Sequence, residues 1–590
     1  MLAWFGRLDP KLTRWGLALF VGAFVFRLFG IDWGLPSAER YNSLHPDEDL
    51  NLAVSQQINP AAGKLTTGFY NYPTLYLTLT RVGTMVVDGY SPPGEVKTPE
   101  AAAGIRARHI LVGRWISALA GAGSVWVVFA ILYRRVHDLA ALAGALAVAV
   151  APGHIVHSRF ETVDVLGAFF VVLSLYWAAR LLPPGDEQPD DKSLNRYVLY
   201  AALCAGLAAG TKYNGALAIV GLAVPLVVLA RRGKGSGWAV ASCGVAAVVA
   251  VIVFLVTTPG ALMEPEVFQR DFKFELLHTS QGHGLVFAGT SSGFLFHLAN
   301  LFVGFGLLLT MIGACGLVWG AVRRHAWIGV FLVFAVVYYL LIGRAEVKFF
   351  RYVLPLIPVL AVGVGWVFDR FHTNPNTRWR TANILPILGI CGIAGGGLAS
   401  AATWTNWMAT PDPREVLGKE LKEKGGSVGL VSDAWFYTPT LYPEVGASRG
   451  VPIEKRLAYQ QAVTKPQILQ FVPEDPNQRK PWDSRLLVEL RPERVMYSSF
   501  EFDNLYRLSL MSTVPAEFQA QVSDFKTFFR ELNAMYTKEE EFSEPGTPGV
   551  EDLMYIRPTL YVWKRKPPIA TTPPASSTTS SSSAAPAGTP

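Results

Sequence analysis

The acidic run His45-Pro46-Asp47-Glu48-Asp49 is the part of the sequence best suited to chemistry. It follows the first long apolar stretch and therefore lies where that stretch would leave a membrane. Adjacent ionised carboxylates repel one another, so they attract a proton, a metal ion or a cationic side chain. The run is a candidate general base or divalent-metal site, and the alternative is an acidic loop exposed to solvent.

Two further acids, Glu161 and Asp164, stand three residues apart at the start of another apolar stretch. In a helix this spacing places both side chains on one face, and a helix N-terminus favours anions. They are candidates for the same site as the acids at 45–49. The alternative is that Asp164 only caps its helix.

Cationic candidates are found where other apolar stretches begin or end. Lys348 and Arg351 are three residues apart, and we place them on the outer side of the membrane, where cations are statistically disfavoured. Arginine binds two phosphate oxygens at once and lysine supplies a point charge, so an anionic lipid phosphate is a suitable ligand. Lys212, between two short apolar stretches, is a candidate of the same kind. The alternative is ordinary contact of long side chains with lipid headgroups.

The elements that position these residues are predicted to be membrane spans. Of the 590 residues, 51% are hydrophobic and 16% are charged, which is too apolar for a soluble protein. The net charge is +7, but the basic residues occur as short doublets between apolar stretches. That pattern is typical of membrane orientation and not of nucleic-acid binding. The sequence also has neither a Walker-type loop nor a dinucleotide-binding glycine pattern.

Apolar stretches of about 20 residues, the length that crosses a bilayer, predict about eleven transmembrane helices. They lie near residues 13–31, 108–133, 138–157, 164–182, 197–211, 214–230, 238–258, 297–320, 326–342, 352–370 and 381–403. The first stretch is long and is followed by no small-residue cleavage site. It is therefore predicted to be a retained anchor and not a signal peptide.

Residues 72–89 decide the predicted topology, because they are moderately apolar and would make one more span. If they crossed, three arginine doublets would lie outside, against the positive-inside rule: Arg134-Arg135, Arg231-Arg232 and Arg323-Arg324. We therefore predict an amphipathic helix at the interface, started by Tyr72-Pro73. The outer side then receives the acids at 45–49, residues 159–164, 212–214, 259–296 and 344–351, and the chain after 404.

The outer segment 257–296 contains His278 and His283, five residues apart and close to glycines. We predict a mobile loop over the site, with His283 in contact with substrate. Histidine titrates near neutrality and ligates metals, so metal binding and proton transfer are further interpretations of the pair. The remaining alternative is that both are plain loop residues.

After Trp404 the composition becomes that of a soluble domain. Short strand-like runs at 427–431, 494–497 and 559–563, with helical stretches near 413–424 and 515–535, predict a small α/β domain over 404–566. An odd number of spans places it outside. Asp433-Ala434-Trp435-Phe436-Tyr437 follows the first strand, where such sheets keep binding loops, and the alternative is a packed aromatic edge. Residues 567–590 lack core-forming residues and are predicted to be disordered.

Several short motifs, in this order, resemble one known family. They are Arg27 in the first span, His45-Pro46-Asp47-Glu48, Tyr70-Asn71-Tyr72-Pro73-Thr74-Leu75, Arg114-Trp115-Ile116-Ser117-Ala118-Leu119, Ser158-Arg159-Phe160-Glu161-Thr162-Val163-Asp164, Gly206-Leu207-Ala208-Ala209-Gly210-Thr211-Lys212-Tyr213-Asn214 and Arg351-Tyr352-Val353-Leu354-Pro355. Residues 13–403 resemble the bacterial branch of the protein O-mannosyltransferase and aminoarabinose-transferase-like family. These are integral membrane glycosyltransferases of the GT-C fold. Many relatives have two prolines where this chain has Pro73-Thr74.

The resemblance implies transfer of a sugar from a polyprenyl phosphate to a hydroxyl of a lipid, glycan or protein, with inversion. It implies that Asp47 is the general base with Glu48 beside it, and that Asp164 is a second acid that orients the acceptor or helps to hold a metal. A divalent ion, Mg²⁺ or Mn²⁺, bound by Asp47 and Asp164 stays an alternative, because the family varies in metal dependence. It further implies that Arg351 and Lys348 hold the leaving lipid phosphate.

The predicted protein is therefore a polytopic α-helical GT-C protein, 1–403, with an extracytoplasmic α/β domain. Its predicted location is the cytoplasmic membrane, with membrane lipids as surroundings and the active site on the outer face. Lys212 is a further candidate for the donor phosphate, and Tyr72 for contact with substrate. The alternatives are a transporter or flippase of lipid-linked sugars, whose acids would bind coupling ions, and an inactive scaffold that presents the C-terminal domain.

Overall fold

The computed structural model describes residues 10–90, 98–184, 189–372, 381–441, 466–543 and 551–567. Its N-terminal part is built from helices. These are α1 Pro10–Leu28, α2 Pro46–Ser55, α3 Leu75–Tyr90, α4 Pro99–Leu132, α5 Asp138–Ala149, α6 Pro152–His157, α7 Val163–Arg180, α8 Asp191–Thr211, α9 Ala223–Leu229, α10 Gly235–Thr257, α11 Gly260–Met263, α12 Pro265–Gln281, α13 Gly293–Leu301, α14 Leu307–Val322, α15 Ala326–Gly343, α16 Leu356–His372 and α17 Thr381–Ala409. Short 3-10 helices, among them Tyr213–Leu222 and Phe350–Val353, lie between some of them.

Every predicted span coincides with one helix or with two consecutive helical segments. Within the described ranges, five helical stretches are long and apolar enough to cross a membrane: Glu100–Leu132, Val163–Arg180, Tyr213–Thr257, Gly293–Val322 and Ala326–Gly343. The predicted fold class, a polytopic helical membrane protein with a small C-terminal sheet, is confirmed. The number of spans stays a prediction.

Two glycines break long helical stretches. Gly233 has φ 107° next to a non-helical Arg232, so the stretch Tyr213–Thr257 consists of separate helices and not of one long span. Gly306 has φ 98° between α13 and α14. A positive φ costs glycine little, because it has no Cβ. At each break the chain changes direction, so the helical segments on its two sides are not collinear.

The segment 257–296 differs from the predicted loop, because most of it forms α11 and α12. Pro265 stands in the first turn of α12, where its fixed φ suits a helix start, and Glu266 lies near the positive end of the helix dipole. Residues 75–90 form the predicted helix α3, which packs against α4 and α2. Its place at a membrane interface stays a prediction.

The C-terminal part forms one mixed sheet. Its elements are α18 Pro413–Lys424, β1 Ser427–Leu430, β2 Gln467–Leu469, β3 Arg494–Ser498, α19 Ser499–Ser509, α20 Gln519–Met535, β4 Tyr536–Phe542, α21 Glu551–Met554 and β5 Leu560–Arg565. The strand order is β2-β1-β3-β5-β4, with β1 parallel to β2 and β3, and with β5 antiparallel to β3 and β4. The predicted strands and both predicted helices are thus present. Ser498 and Glu501 form a capping box that starts α19.

The C-terminal part packs closely on the helices. Asp412 and Arg414 form a fully buried ion pair at 2.7 Å, and Trp33 donates to Asp412 at 3.3 Å. Helix α17 continues to Ala409, so the predicted domain boundary at 403 falls within a helix. The domain limits stay predictions. Residues 568–590, which carry the predicted disordered tail, lie outside the described residues.

Candidate functional site

Asp47 and Arg351 form an ion pair, although 304 positions separate them in the sequence. Asp47 lies in the first turn of α2, where His45 caps the helix by accepting from the Asp47 amide at 3.2 Å. Arg351 lies on the 3-10 helix Phe350–Val353. Its Nη1 is 2.8 Å from Asp47 Oδ2, and its guanidinium stacks over the Phe349 ring at 4.2 Å. The Asp47 side chain keeps 23% of its surface exposed, so the pair is accessible.

A second carboxylate, Asp552 of α21, contacts the same arginine. Its Oδ2 accepts from the Arg351 amide at 2.8 Å, and its Oδ1 is 3.8 Å from Arg351 Nη1. Burial alone would lower the pKa of Arg351, but the charges of Asp47 and Asp552 outweigh it and raise that pKa well above its usual value. Sequence reasoning missed Asp552, because nothing in its neighbourhood marks it.

Asp164 and Lys212 form the next ion pair, at 2.5 Å. Asp164 lies in the first turn of α7, and Lys212 caps the C-terminus of α8. The Lys212 ammonium also lies over the Tyr352 ring, 4.7 Å from its centre. Since Tyr352 follows Arg351 in the chain, this pair is next to the first one.

Electrostatic contacts join the two pairs into one cluster. The charges of Asp164 and Asp47 both act on Asp552. Burial raises the pKa of Tyr72 well above its usual value, and the same two aspartates raise it further while Arg351 opposes them. The predicted residues Asp47, Asp164, Lys212, Arg351 and Tyr72 are therefore brought together. They form a site in which Arg351 pairs with Asp47 and Lys212 pairs with Asp164.

Glu48 is not part of this cluster. Its carboxylate is completely buried and accepts hydrogen bonds from Arg114 Nε at 2.8 Å and from Arg114 Nη2 at 2.7 Å. The Glu161 amide and the Ser43 hydroxyl donate to it as well. These contacts fasten the start of α2 to α4. The neighbouring Asp49 likewise pairs with Arg106, at 2.6 Å.

Glu161 and Asp164 do not share a helix face, contrary to the sequence expectation. Thr162 is the extended N-cap residue of α7, so Glu161 lies before the helix. Its side chain packs against Gly113 of α4, and among the described residues nothing donates to its carboxylate. Burial raises the pKa of Glu161 well above its usual value, and the charge of Glu48 adds to the rise. Glu161 is thus a buried acid of the scaffold.

Lys348 also lies away from the cluster. Its ammonium is 3.3 Å from Glu346 and donates to the Thr290 hydroxyl at 3.2 Å. The side chain is only 3% exposed and makes these two contacts. Of the predicted phosphate ligands, the structure brings Arg351 and Lys212 together and separates Lys348 from them.

The two histidines of the outer segment contact each other, with 2.6 Å between His278 Nε2 and His283 Nδ1. His283 packs on Phe349, the ring that also carries the Arg351 guanidinium. Burial lowers the pKa of His283 to about 4, and the charges of His278 and Arg351 add to the shift while Asp47 opposes it. His283 therefore stands at the edge of the cluster as a neutral ring at pH 7.

Two further residues near the cluster were not predicted. Glu275 of α12 accepts from Asn71 at 2.8 Å and interacts with Lys212 and Arg351. His157 stacks on Phe350 with the ring centres 5.2 Å apart. A helix prediction for 265–281 would have shown that Glu275 is three positions from His278 on one face.

The described residues do not fit a metal in this arrangement. They contain no group of three or more His, Cys, Asp or Glu side chains that could hold a metal ion. Asp47 and Asp164 are each bound to a cationic side chain, which a metal would have to displace. The metal role of these two aspartates stays a prediction, and no step below depends on it.

Residues 82–278 match the family model of dolichyl-phosphate-mannose-protein mannosyltransferases. The match confirms the predicted resemblance over that part of the chain. It includes Asp164 and Lys212 of the mannosyltransferase-like region, whereas Asp47, Arg351 and Asp552 lie outside it. None of the curated proteins has a significantly similar sequence.

Solved structures of membrane glycosyltransferases are similar to this chain at low identity. An oligosaccharyltransferase, AglB from Archaeoglobus fulgidus, in complex with an inhibitory peptide and a dolichol-phosphate, has 14% identity and a TM-score of 0.49, covering 91% of this chain and 74% of its own. ArnT from Cupriavidus metallidurans bound to undecaprenyl phosphate has 17% identity and a TM-score of 0.47, with 93% and 98% covered. The S. cerevisiae Pmt1-Pmt2 complex bound to the sugar donor has 21% identity and a TM-score of 0.30, with 49% and 36% covered. All three TM-scores are below 0.5.

Proposed function

We propose that this protein is a membrane glycosyltransferase that transfers a sugar from a polyprenyl-phosphate donor to a hydroxyl of a lipid, glycan or protein acceptor. The observation that carries the proposal is the accessible ion pair between Asp47 and Arg351. Glycosyl transfer from a lipid phosphate needs a base for the acceptor and a cation for the leaving phosphate. This pair supplies both groups at one point, and the mannosyltransferase family match supports the reaction class.

In the ligand-free protein each of the two groups neutralises the other. A donor phosphate that enters the cluster competes with Asp47 for the Arg351 guanidinium, because arginine binds phosphate oxygens in a bidentate manner. Asp47 is then released as a free carboxylate. The base therefore becomes available when the donor is in place.

The reaction then proceeds by direct displacement. Asp47 accepts the proton of the acceptor hydroxyl while the acceptor oxygen attacks the anomeric carbon from the face opposite the phosphate. The bond between that carbon and the phosphate oxygen breaks, its electron pair stays on the phosphate, and Arg351 stabilises the added negative charge. The product glycoside has the inverted anomeric configuration.

The pair of Asp164 and Lys212 has a supporting role in this proposal. Asp164 is the second acid and orients the acceptor, and Lys212 adds positive charge beside the phosphate. Tyr72 and His283 border the cluster and contact the substrates. We place the site and the C-terminal domain on the extracytoplasmic side of the cytoplasmic membrane, because the arginine doublets then face the cytoplasm.

The test is sugar transfer by purified protein from a panel of polyprenyl-phosphate sugars. Asp47→Asn removes the base and keeps the side-chain shape, so we expect turnover to fall by about 10²–10⁴-fold, the usual worth of general base catalysis. Asp49→Asn is the matched control. It changes an acid two residues away that pairs with Arg106, and should keep most of the activity.

Two results would contradict the proposal. Equal turnover by Asp47→Asn and wild type would remove Asp47 from the role of base. Absence of transfer from every donor, together with translocation of a lipid-linked sugar across vesicle membranes, would favour a transporter instead.

A further inference from the structure

Asp552 of the C-terminal part is a fully buried carboxylate that contacts Arg351. It lies 201 positions beyond the arginine and holds its backbone, whereas Asp47 holds its side chain. By accepting from the Arg351 amide, Asp552 Oδ2 fixes the backbone from which the arginine side chain extends. Asp552 Oδ1 accepts no hydrogen bond from the described residues and lies 3.8 Å from Arg351 Nη1.

The segment around Asp552 is a part of the helical core and not a surface loop. Leu553, Tyr555 and Ile556 are buried in the same apolar cluster as the transmembrane helices. Tyr555 packs edge-on against His45, the cap residue of α2, with ring centres 5.1 Å apart. Its carbonyl accepts from the buried Arg414 at 2.7 Å. The position of Asp552 is therefore fixed from several sides.

We propose that Asp552 is a positioning residue of the donor site, by which the C-terminal part holds Arg351 ready for the lipid phosphate. This inference rests on the proposed function and adds a residue to it. With its backbone held, Arg351 exchanges Asp47 for the phosphate by moving only its side chain. Without Asp552 the 3-10 helix Phe350–Val353 loses the acceptor for one amide, and the guanidinium must be ordered anew when the donor binds.

The charges at the site support the same role. Burial raises the pKa of Asp552 to about 6; Arg351 opposes the rise, and Asp164 and Asp47 add to it. The charge of Asp552 also acts on Tyr352, next to Arg351. A second acid on the arginine keeps a counter-charge near it throughout the exchange, so that the cation is not left unpaired when Asp47 lets go.

The experiment compares donor binding and turnover in Asp552 variants of the full chain. Asp552→Asn keeps an oxygen that accepts from the Arg351 amide, whereas Asp552→Leu fills the same space with apolar atoms and Asp552→Ala leaves it empty. We expect Leu and Ala to raise the KM for the donor roughly tenfold or more, the usual worth of a hydrogen bond in a charged site. Asn should raise the KM less than Leu or Ala, because the bond to the amide remains while the counter-charge is lost.

The second readout is direct binding of polyprenyl phosphate without a sugar, measured by calorimetry in detergent. We expect the dissociation constant to follow the KM through the series. A merely structural role would lower the folded fraction and hence the apparent kcat, but the KM of the remaining folded protein would not change. In an Arg351→Ala background the Leu substitution should have no further effect on binding.

Asp483 provides the matched control, because it repeats the motif elsewhere. It accepts from the Arg485 amide at 3.0 Å and pairs with that arginine at 2.6 Å, within the C-terminal part. Asp483→Leu should leave the donor KM unchanged. An unchanged KM in folded Asp552→Leu or Asp552→Ala, or an equal rise in Asp483→Leu, would overturn the role of Asp552. Failure of wild type to bind polyprenyl phosphate at all would overturn the proposed function instead.

Discussion

Glu48→Gln should lower the free energy of unfolding more than Asp47→Asn does. The Glu48 carboxylate and the Arg114 guanidinium are both 0% exposed, with hydrogen bonds of 2.7 and 2.8 Å between them. Glutamine keeps the shape and one acceptor but removes the negative charge. The arginine then stays buried with neutral acceptors alone, the glutamine oxygen and the carbonyl oxygens of Ile31 and Trp33.

The magnitude follows from that burial. Breaking a buried ion pair by removing one partner costs about 3–5 kcal/mol, because the remaining charge has no counter-charge and no water. Asp47→Asn removes a partly exposed pair, and Arg351 keeps Asp552, so its cost is about 1 kcal/mol. Neighbouring acids thus have opposite profiles: one change lowers stability, the other lowers turnover.

The assay is thermal unfolding of purified protein in one detergent, followed by intrinsic tryptophan fluorescence. Five proteins are compared: wild type, Asp47→Asn, Glu48→Gln, Arg114→Met and the double variant of Glu48→Gln with Arg114→Met. Removing both charges leaves no uncompensated ion, so the double variant should lose less stability than the sum of the single variants. Equal losses for Glu48→Gln and Asp47→Asn, or simple additivity in the double variant, would refute this reasoning.

Two further predictions concern the lysines and pH. Lys212→Met should weaken binding of polyprenyl phosphate, because Lys212 lies beside Arg351. Lys348→Met breaks contacts to Glu346 and Thr290, so it should change stability and leave the dissociation constant unaltered. A larger binding loss for Lys348→Met would contradict this. Burial raises the pKa of Glu501 to about 6 from its usual 4.5, so its ionisation favours the unfolded chain, and its contribution to stability is lost as the pH rises through about 6. Relative to wild type, Glu501→Gln should therefore gain up to about 2 kcal/mol between pH 4.5 and pH 7.5 in urea or thermal unfolding, and a pH-independent difference would speak against it.

The sequence was informative about which local stretches matter and less so about side-chain directions. Asp47 is predicted from the acidic run that follows the first apolar stretch, and Arg351 from its position where a later stretch begins. Glu48 was placed beside Asp47 in the site, but consecutive residues of a helix point about 100° apart, so one faces the cluster and the other faces α4. Glu161 was misplaced because the start of α7 at Val163 depends on the extended Thr162, which the spacing of acids does not reveal.

Contacts between distant parts of the chain were beyond local patterns. Asp552 follows no motif and reaches Arg351 only because the C-terminal part folds back onto the helices. Lys348 is of the residue type that binds phosphate, but its ammonium contacts the nearby Glu346 and donates to Thr290 of another segment. Helix α12 differs from the predicted loop, because local composition does not show its packing: Phe272 lies against the Tyr213 ring, whereas Phe274 and Leu276 are exposed.

The burial of Leu553, Tyr555 and Ile556 among the membrane helices has a consequence for biosynthesis. These residues leave the ribosome after every helix they pack against, so insertion of the helices into the bilayer precedes completion of their shared interior. A nascent chain that stops before these residues would already be anchored in the membrane by its helices, but the apolar surface that these residues cover would still be exposed. Apolar surface of the helices therefore stays uncovered until synthesis has passed Ile556.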